Sequence, residues 1–221
     1  MNEMVIESTI KSLQWIYAIV IALSIGEAFK QFVPVPNTDM EKCRIQWDRL
    51  PSLAALLILV VPFYHGMTRY FCEMYYAHGT DASYGKWLLF DCAAFTVEAG
   101  LFFVLARSLS SALWWRFNGT IVALLCLDIV WGVFVWNLHQ CPMISPWVIV
   151  NVCAVPLLVG VYMIFRNRAT RLPLLASCGV LVVLLARTLA DYWAGWEFYF
   201  PKVVDVAPPY SILNGNIQNV I

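Results

Sequence analysis

The sequence predicts an all-α polytopic membrane protein: a bundle of about six transmembrane helices forming one domain over residues 1–221. Two observations carry this. Of 221 residues, 61% are hydrophobic and only 13% are charged, and the mean hydropathy is +0.71, a composition suited to lipid as solvent rather than water. In addition, six apolar windows approach the roughly 20 residues that a helix needs to cross the hydrocarbon core.

The first window lies near Leu13 to Val33 and carries Ala18, Ala22 and Gly26 at every fourth position. Such a stripe lets helix backbones approach closely in lipid. The second, near Leu53 to Tyr75, joins the run LAALLILVVPF to YHGMTRYFCEMYY. Pro62 removes a backbone donor there and is expected to kink the helix, with Gly66 loosening it further. His65, Arg69 and Glu73 follow at intervals of four and form a polar stripe on one face. The third window, near Lys86 to Arg107, holds Asp91 and Glu98, seven apart and again on one face. The fourth, near Ala112 to Asn137, holds Asp128 in its later part, and the fifth runs from about Pro146 to Phe165. The sixth, near Pro173 to Trp196, holds Arg187 and Asp191 and a second small-residue stripe, Ala186, Ala190 and Ala194. The two stripes suit a contact between the first and sixth helices or between protomers. The connecting segments, such as PVPNTDMEKCRIQWDRLP and RNRATRL, are polar or contain Pro or Gly. The tail after Phe200 contains Pro208 and Pro209, which favour an extended course over the outer mouth of the bundle or free in solvent.

Orientation follows from the basic residues, because short Lys- and Arg-rich loops stay cytoplasmic. One side receives Lys42, Arg44, Arg49, Arg107, Arg116, Arg166, Arg168 and Arg171, and the other Lys11, Lys86 and Lys202. Both termini are therefore expected outside the cytoplasm, in a membrane of the bacterial inner-membrane type. Trp residues cluster where this topology puts the headgroups, as in an aromatic belt.

Charges inside membrane helices cost at least a few kcal/mol unless protein or water holds them. Glu27 with Lys30, Arg69 with Glu73, and Arg187 with Asp191 each place an acid and a base three or four residues apart on one helix, so each pair can neutralise itself as a structural tie. Asp91, Glu98 and Asp128 have no base within a turn of their own helix. At ~1.5 Å per residue, Asp91 matches Arg69 in depth, which predicts a pair between the second and third spans. Glu98 falls near mid-membrane with His65. Glu98, Asp128, Asp91 and His65 are therefore the candidates for an ion path or intramembrane ionic site, since a stack of charges at several depths suits conduction or proton relay.

Several classes find no support. Lys plus Arg (14) balances Asp plus Glu (14), so no nucleic-acid footprint exists. The seven cysteines have no CxxC spacing, and Cys43 and Cys141 fall in loops on opposite sides, so no disulfide is expected between them. With His65, His78 and His139 as the only histidines, neither a metal site nor a haem site is expected, and no cofactor is implied. HExxH and GxSxG are absent, and the N-terminus lacks the pattern of a cleaved signal. The favoured function is movement of ions or a small solute, by one chain or as an oligomeric channel or pore. A second reading is a non-catalytic anchor, signalling or effector subunit working with a partner membrane protein. A third is an enzyme acting on a lipid or isoprenoid. The partners implied are the lipid bilayer and either further copies of the chain or another membrane protein.

Overall fold

A computed structural model describes residues 3–33, 45–77, 84–109, 113–139, 144–166 and 173–201. Among these residues there are helices and no strands. The chain is an all-α multi-pass membrane protein in which α1 (Glu3–Phe32), α2 (Leu50–Phe71), α3 (Tyr84–Arg107), α4 (Trp114–His139), α5 (Ser145–Phe165) and α6 (Pro173–Ala194) are each long and apolar enough to cross a bilayer. A one-turn helix, α7 (Trp196–Tyr199), follows the sixth span. The loop cysteines Cys43 and Cys141, His78 and the tail beyond residue 201 lie outside the described residues, as do the expectations attached to them.

The six long helices close into a ring in the order α1, α3, α4, α5, α6, α2, with α2 also reaching α3 across the middle. Cross-contacts fix the directions. Ser52 at the start of α2 donates to Ser177 at the start of α6 (3.2 Å), and His65 and Tyr192 meet farther along both helices, so these two run parallel. Asn118 near the start of α4 donates to the Leu158 carbonyl late in α5 (3.3 Å), an antiparallel pair. At that same end Arg49 donates to the Gln31 carbonyl (2.5 Å), joining the start of α2 to the end of α1. Trp15, Leu89, Val130, Leu157 and Trp193 point outward. In water such faces would associate, and in a bilayer they are the surface lipid solvates.

Two sequence expectations about packing change here. α1 does not lie along α6; it packs on α3 and α2, and Ala22, Gly26, Ala186 and Ala194 are exposed, so the two small-residue stripes face outward rather than toward each other. α2 stays helical through Pro62, and a π-helical segment follows it over Cys72–Ala77. Gly66 tightens the bundle instead of loosening it. A Cβ at that position would sit 2.8 Å from Trp147 Cζ2, so the missing side chain is what admits the Trp147 ring against α2.

Candidate functional site

The interior of the ring holds a polar chain that crosses five helices. Glu98 on α3 and Asp128 on α4, 1% and 8% exposed, form a buried acidic pair within electrostatic reach of each other. No hydrogen-bond donor reaches either Glu98 oxygen. Asp128 accepts from the side-chain amide of Asn151 on α5. Asn151 in turn accepts at Oδ1 from Arg187 Nε on α6, 2.9 Å away. The Arg187 guanidinium lies 3.1 Å from Asp191 Oδ2, one turn along α6, and its carbon stands 5.3 Å from the centre of the Phe63 ring, a cation–π contact from α2. Tyr199 of α7 completes the chain by donating to Asp191 Oδ2 at 3.1 Å. Burial first, and the Asp191 carboxylate second, push the Tyr199 hydroxyl above the ordinary phenol range, so it serves as a donor.

These groups border one small cavity of about 20 Å³, lined by Glu98, Asp128, Arg187, Asp191, Trp147 and Tyr199 among others. Three acids face one base there. Tyr17 of α1, itself 4% exposed, lies within electrostatic reach of Glu98 and Asp128. Among the described residues no cluster suits a metal ion.

Asp91 belongs to a different site. It is 2% exposed and accepts from Tyr70 (2.8 Å), Tyr75 (2.6 Å) and Trp131 Nε1 (2.9 Å). The Tyr70 and Trp131 rings stand edge to face at 4.8 Å, and Phe95 packs 5.1 Å from Trp131, so the carboxylate sits in an aromatic cage. This corrects the expected Arg69–Asp91 pair. Arg69 instead donates to the Phe198 carbonyl at 2.9 Å and approaches Glu73 at 3.9 Å, so its role is to hold α7 against α2.

His65 is likewise not beside Glu98. Its Nδ1 is 3.2 Å from the Tyr192 hydroxyl, and its ring lies 5.0 Å from that of Tyr199 and 5.7 Å from that of Phe200. It borders an outward-facing apolar groove of about 580 Å³ between α1 and α2. The physical reason is rotation: Phe63, which faces Phe102 of α3 at 5.4 Å, is two positions from His65, and two positions turn a helix by about 200°. The Glu27–Lys30 tie is also replaced. Glu27 reaches Arg107 of α3 at 4.0 Å and Gln31 at 3.4 Å, and no ion pair joins it to Lys30 among the described residues. Of the three expected same-helix pairs, Arg69–Glu73 and Arg187–Asp191 are present.

Sequence reasoning missed Asn151, Tyr199, Trp147 and Tyr17. Asn151 had a usable signal, since it is a lone amide within the apolar run PWVIVNVCAVPLL, and a polar side chain at that depth needs a partner. Tyr199 had none, because it lies beyond the last span. Comparison with protein-family models, curated proteins and solved structures finds no match to the chain.

Proposed function

We propose that the protein moves ions or a small solute across the membrane, with the Glu98–Asp128 carboxyl pair as the interior group that takes up and releases a proton. One observation supports this reading above others: two carboxyl groups within electrostatic reach of each other, buried inside one chain beside a cavity where Arg187, already paired with Asp191, is the one base among the described residues. A merely structural core is under no need to hold more acids than bases, because replacing buried ionic groups with apolar ones is often neutral or stabilising. Coupled carboxyls that share a proton are a recurrent means of binding and releasing it. The charged groups face the interior of one protomer, so this function does not call on a pore between copies. The basic-residue asymmetry favours an inner-membrane setting with both termini outside the cytoplasm.

A second reading is favoured by the closure of the bundle. The interior cavity is about 20 Å³, and Arg69 and Arg187 have their ionic partners on their own helices, as a non-catalytic anchor or effector subunit would require. The enzyme reading loses ground, because the outward groove borders His65 and not the acidic pair.

The test is flux into liposomes containing pure protein across a range of pH, with Glu98→Gln compared at matched density. The amide preserves shape and cannot release a proton, so flux is expected to be abolished while folding persists. A wild-type protein that moves neither protons nor any ion tested removes the transport reading and leaves the partner one. Unchanged flux in Glu98→Gln returns that residue to a structural role.

A further inference from the structure

The polar chain Asp128–Asn151–Arg187–Asp191 is continuous in hydrogen bonds and ion pairs, but it cannot pass a proton. An amide nitrogen does not exchange one readily, and a guanidinium has no acceptor and is not deprotonated in proteins. The Glu98–Asp128 pair and the Asp191–Tyr199 pair are thus chemically separate along the side chains.

The cavity between them offers another connection. Glu98 and Asp191 (each 1% exposed), Arg187 (5%) and Trp147 (7%) all line it. Each presents a fully buried polar atom with no hydrogen-bond partner: Glu98 Oε1 and Oε2, Asp191 Oδ1, Arg187 Nη1 and Trp147 Nε1. Arg187 Nη1 is 3.1 Å from Asp191 Oδ2 as an ion pair, but not in hydrogen-bond alignment. Orphaned groups of this kind cost roughly 1–3 kcal/mol each, so a ligand that satisfies them is strongly favoured. The size and the balance of donors and acceptors identify it. A cavity of about 20 Å³ is of a size that suits water, for which roughly 10–15 Å³ suffices. The orphans comprise two N–H donors and carboxyl oxygens on two residues. Water has two acceptor positions and two donors, and so meets all four residues. A bare cation would face the Arg187 and Trp147 N–H groups directly and gains nothing from them.

We infer that this cavity binds one ordered water, which accepts from Trp147 Nε1 and Arg187 Nη1 and donates to Glu98 and Asp191 Oδ1, joining the two acidic pairs. Resting on the transport reading above, that water is the proton bridge. When Glu98 is protonated, its hydroxyl takes the place of Trp147 Nε1 as a donor to the water oxygen and gives that oxygen its proton, while the water releases another to the Asp191 carboxylate. The step leaves a Glu98 carboxylate, an intact water and a protonated Asp191, with charge and atoms balanced. The other titratable groups facing this route are Asp128, Arg187, Tyr199 and Tyr17.

The deciding measurement is a density map of the full wild-type chain in lipid nanodiscs at a resolution that shows ordered water, taken alongside the proton-flux assay. One peak is expected at about 2.7–3.2 Å from Glu98, Asp191 Oδ1, Arg187 Nη1 and Trp147 Nε1. Clear side chains with no peak overturn the inference, and flux under those conditions would leave the transport reading standing. A peak held only by carboxyl oxygens at metal–oxygen distances overturns it in favour of a cation. The water peak without proton flux keeps the binding site and overturns the bridge, and the transport reading falls with it only where no other ion moves either.

Discussion

Asn151 receives the Arg187 Nε–H at 2.9 Å on its carbonyl side while its amide group donates to Asp128, so one neutral side chain holds an acid and a base together across three helices. Its removal leaves a buried carboxylate and a buried guanidinium each short of a bond. Asn151→Leu is therefore expected to destabilise the detergent-solubilised protein by about 2–4 kcal/mol, read from reversible denaturation. A loss below roughly 0.5 kcal/mol, the scale of an ordinary exposed substitution, would mean that the amide does not bridge the pair.

Arg69 and Asp91 serve separate structures, the first the α7 carbonyl and the second the tyrosine–tryptophan cage. Arg69→Ala and Asp91→Asn should accordingly add to within about 0.5 kcal/mol when combined. Asp91→Asn with Trp131→Phe should instead fall short of additivity, because the two share a hydrogen bond. A coupling larger than about 1 kcal/mol in the first cycle would restore the ion pair that the depth argument suggested.

Glycine substitutions separate the packed face of the bundle from the open one. Gly66→Ala must displace the Trp147 ring from 2.8 Å and is expected to cost about 1–3 kcal/mol through overpacking. Gly26→Ala meets nothing within 4 Å, so the change should be neutral or gain up to about 1 kcal/mol from helix propensity. Thermal unfolding in one detergent compares them, and equal effects would contradict this assignment of faces.

The orientation is tested by single cysteines at Asn167 and Asn216 in a background without reactive thiols. An impermeant reagent added outside should label position 216 and spare 167, because basic loops resist translocation. The reverse pattern inverts the topology.

Local relationships were legible in the sequence. Six spans follow from apolar length, and Arg187–Asp191 and Arg69–Glu73 follow from a spacing of four on one helix, since helical geometry alone places those side chains together. Relations between helices were not. Depth can be counted along the chain, but the rotation of each helix about its axis is set by packing, and depth alone offered Arg69 to Asp91 and His65 to Glu98. Asp91 took aromatic donors that look like ordinary membrane Tyr and Trp, whose polar tips need a partner when buried. Glu27 took Arg107 from the neighbouring α3 in place of Lys30 on its own helix. The meeting of Glu98 with Asp128 required α3 and α4 to be side by side, which no spacing within either helix encodes.

The short α7 turn changes where the folding unit ends. A chain cut after Ala194 would keep all six membrane spans, yet it would lose the hydroxyl that reaches Asp191 and the Phe198 ring 4.9 Å from Trp147. Hydropathy would judge that fragment complete. Truncation designs, fusion points and reporter tags therefore belong after Phe200 or at the N-terminal end, because a junction at the edge of the last span severs the interior from its own closing residue.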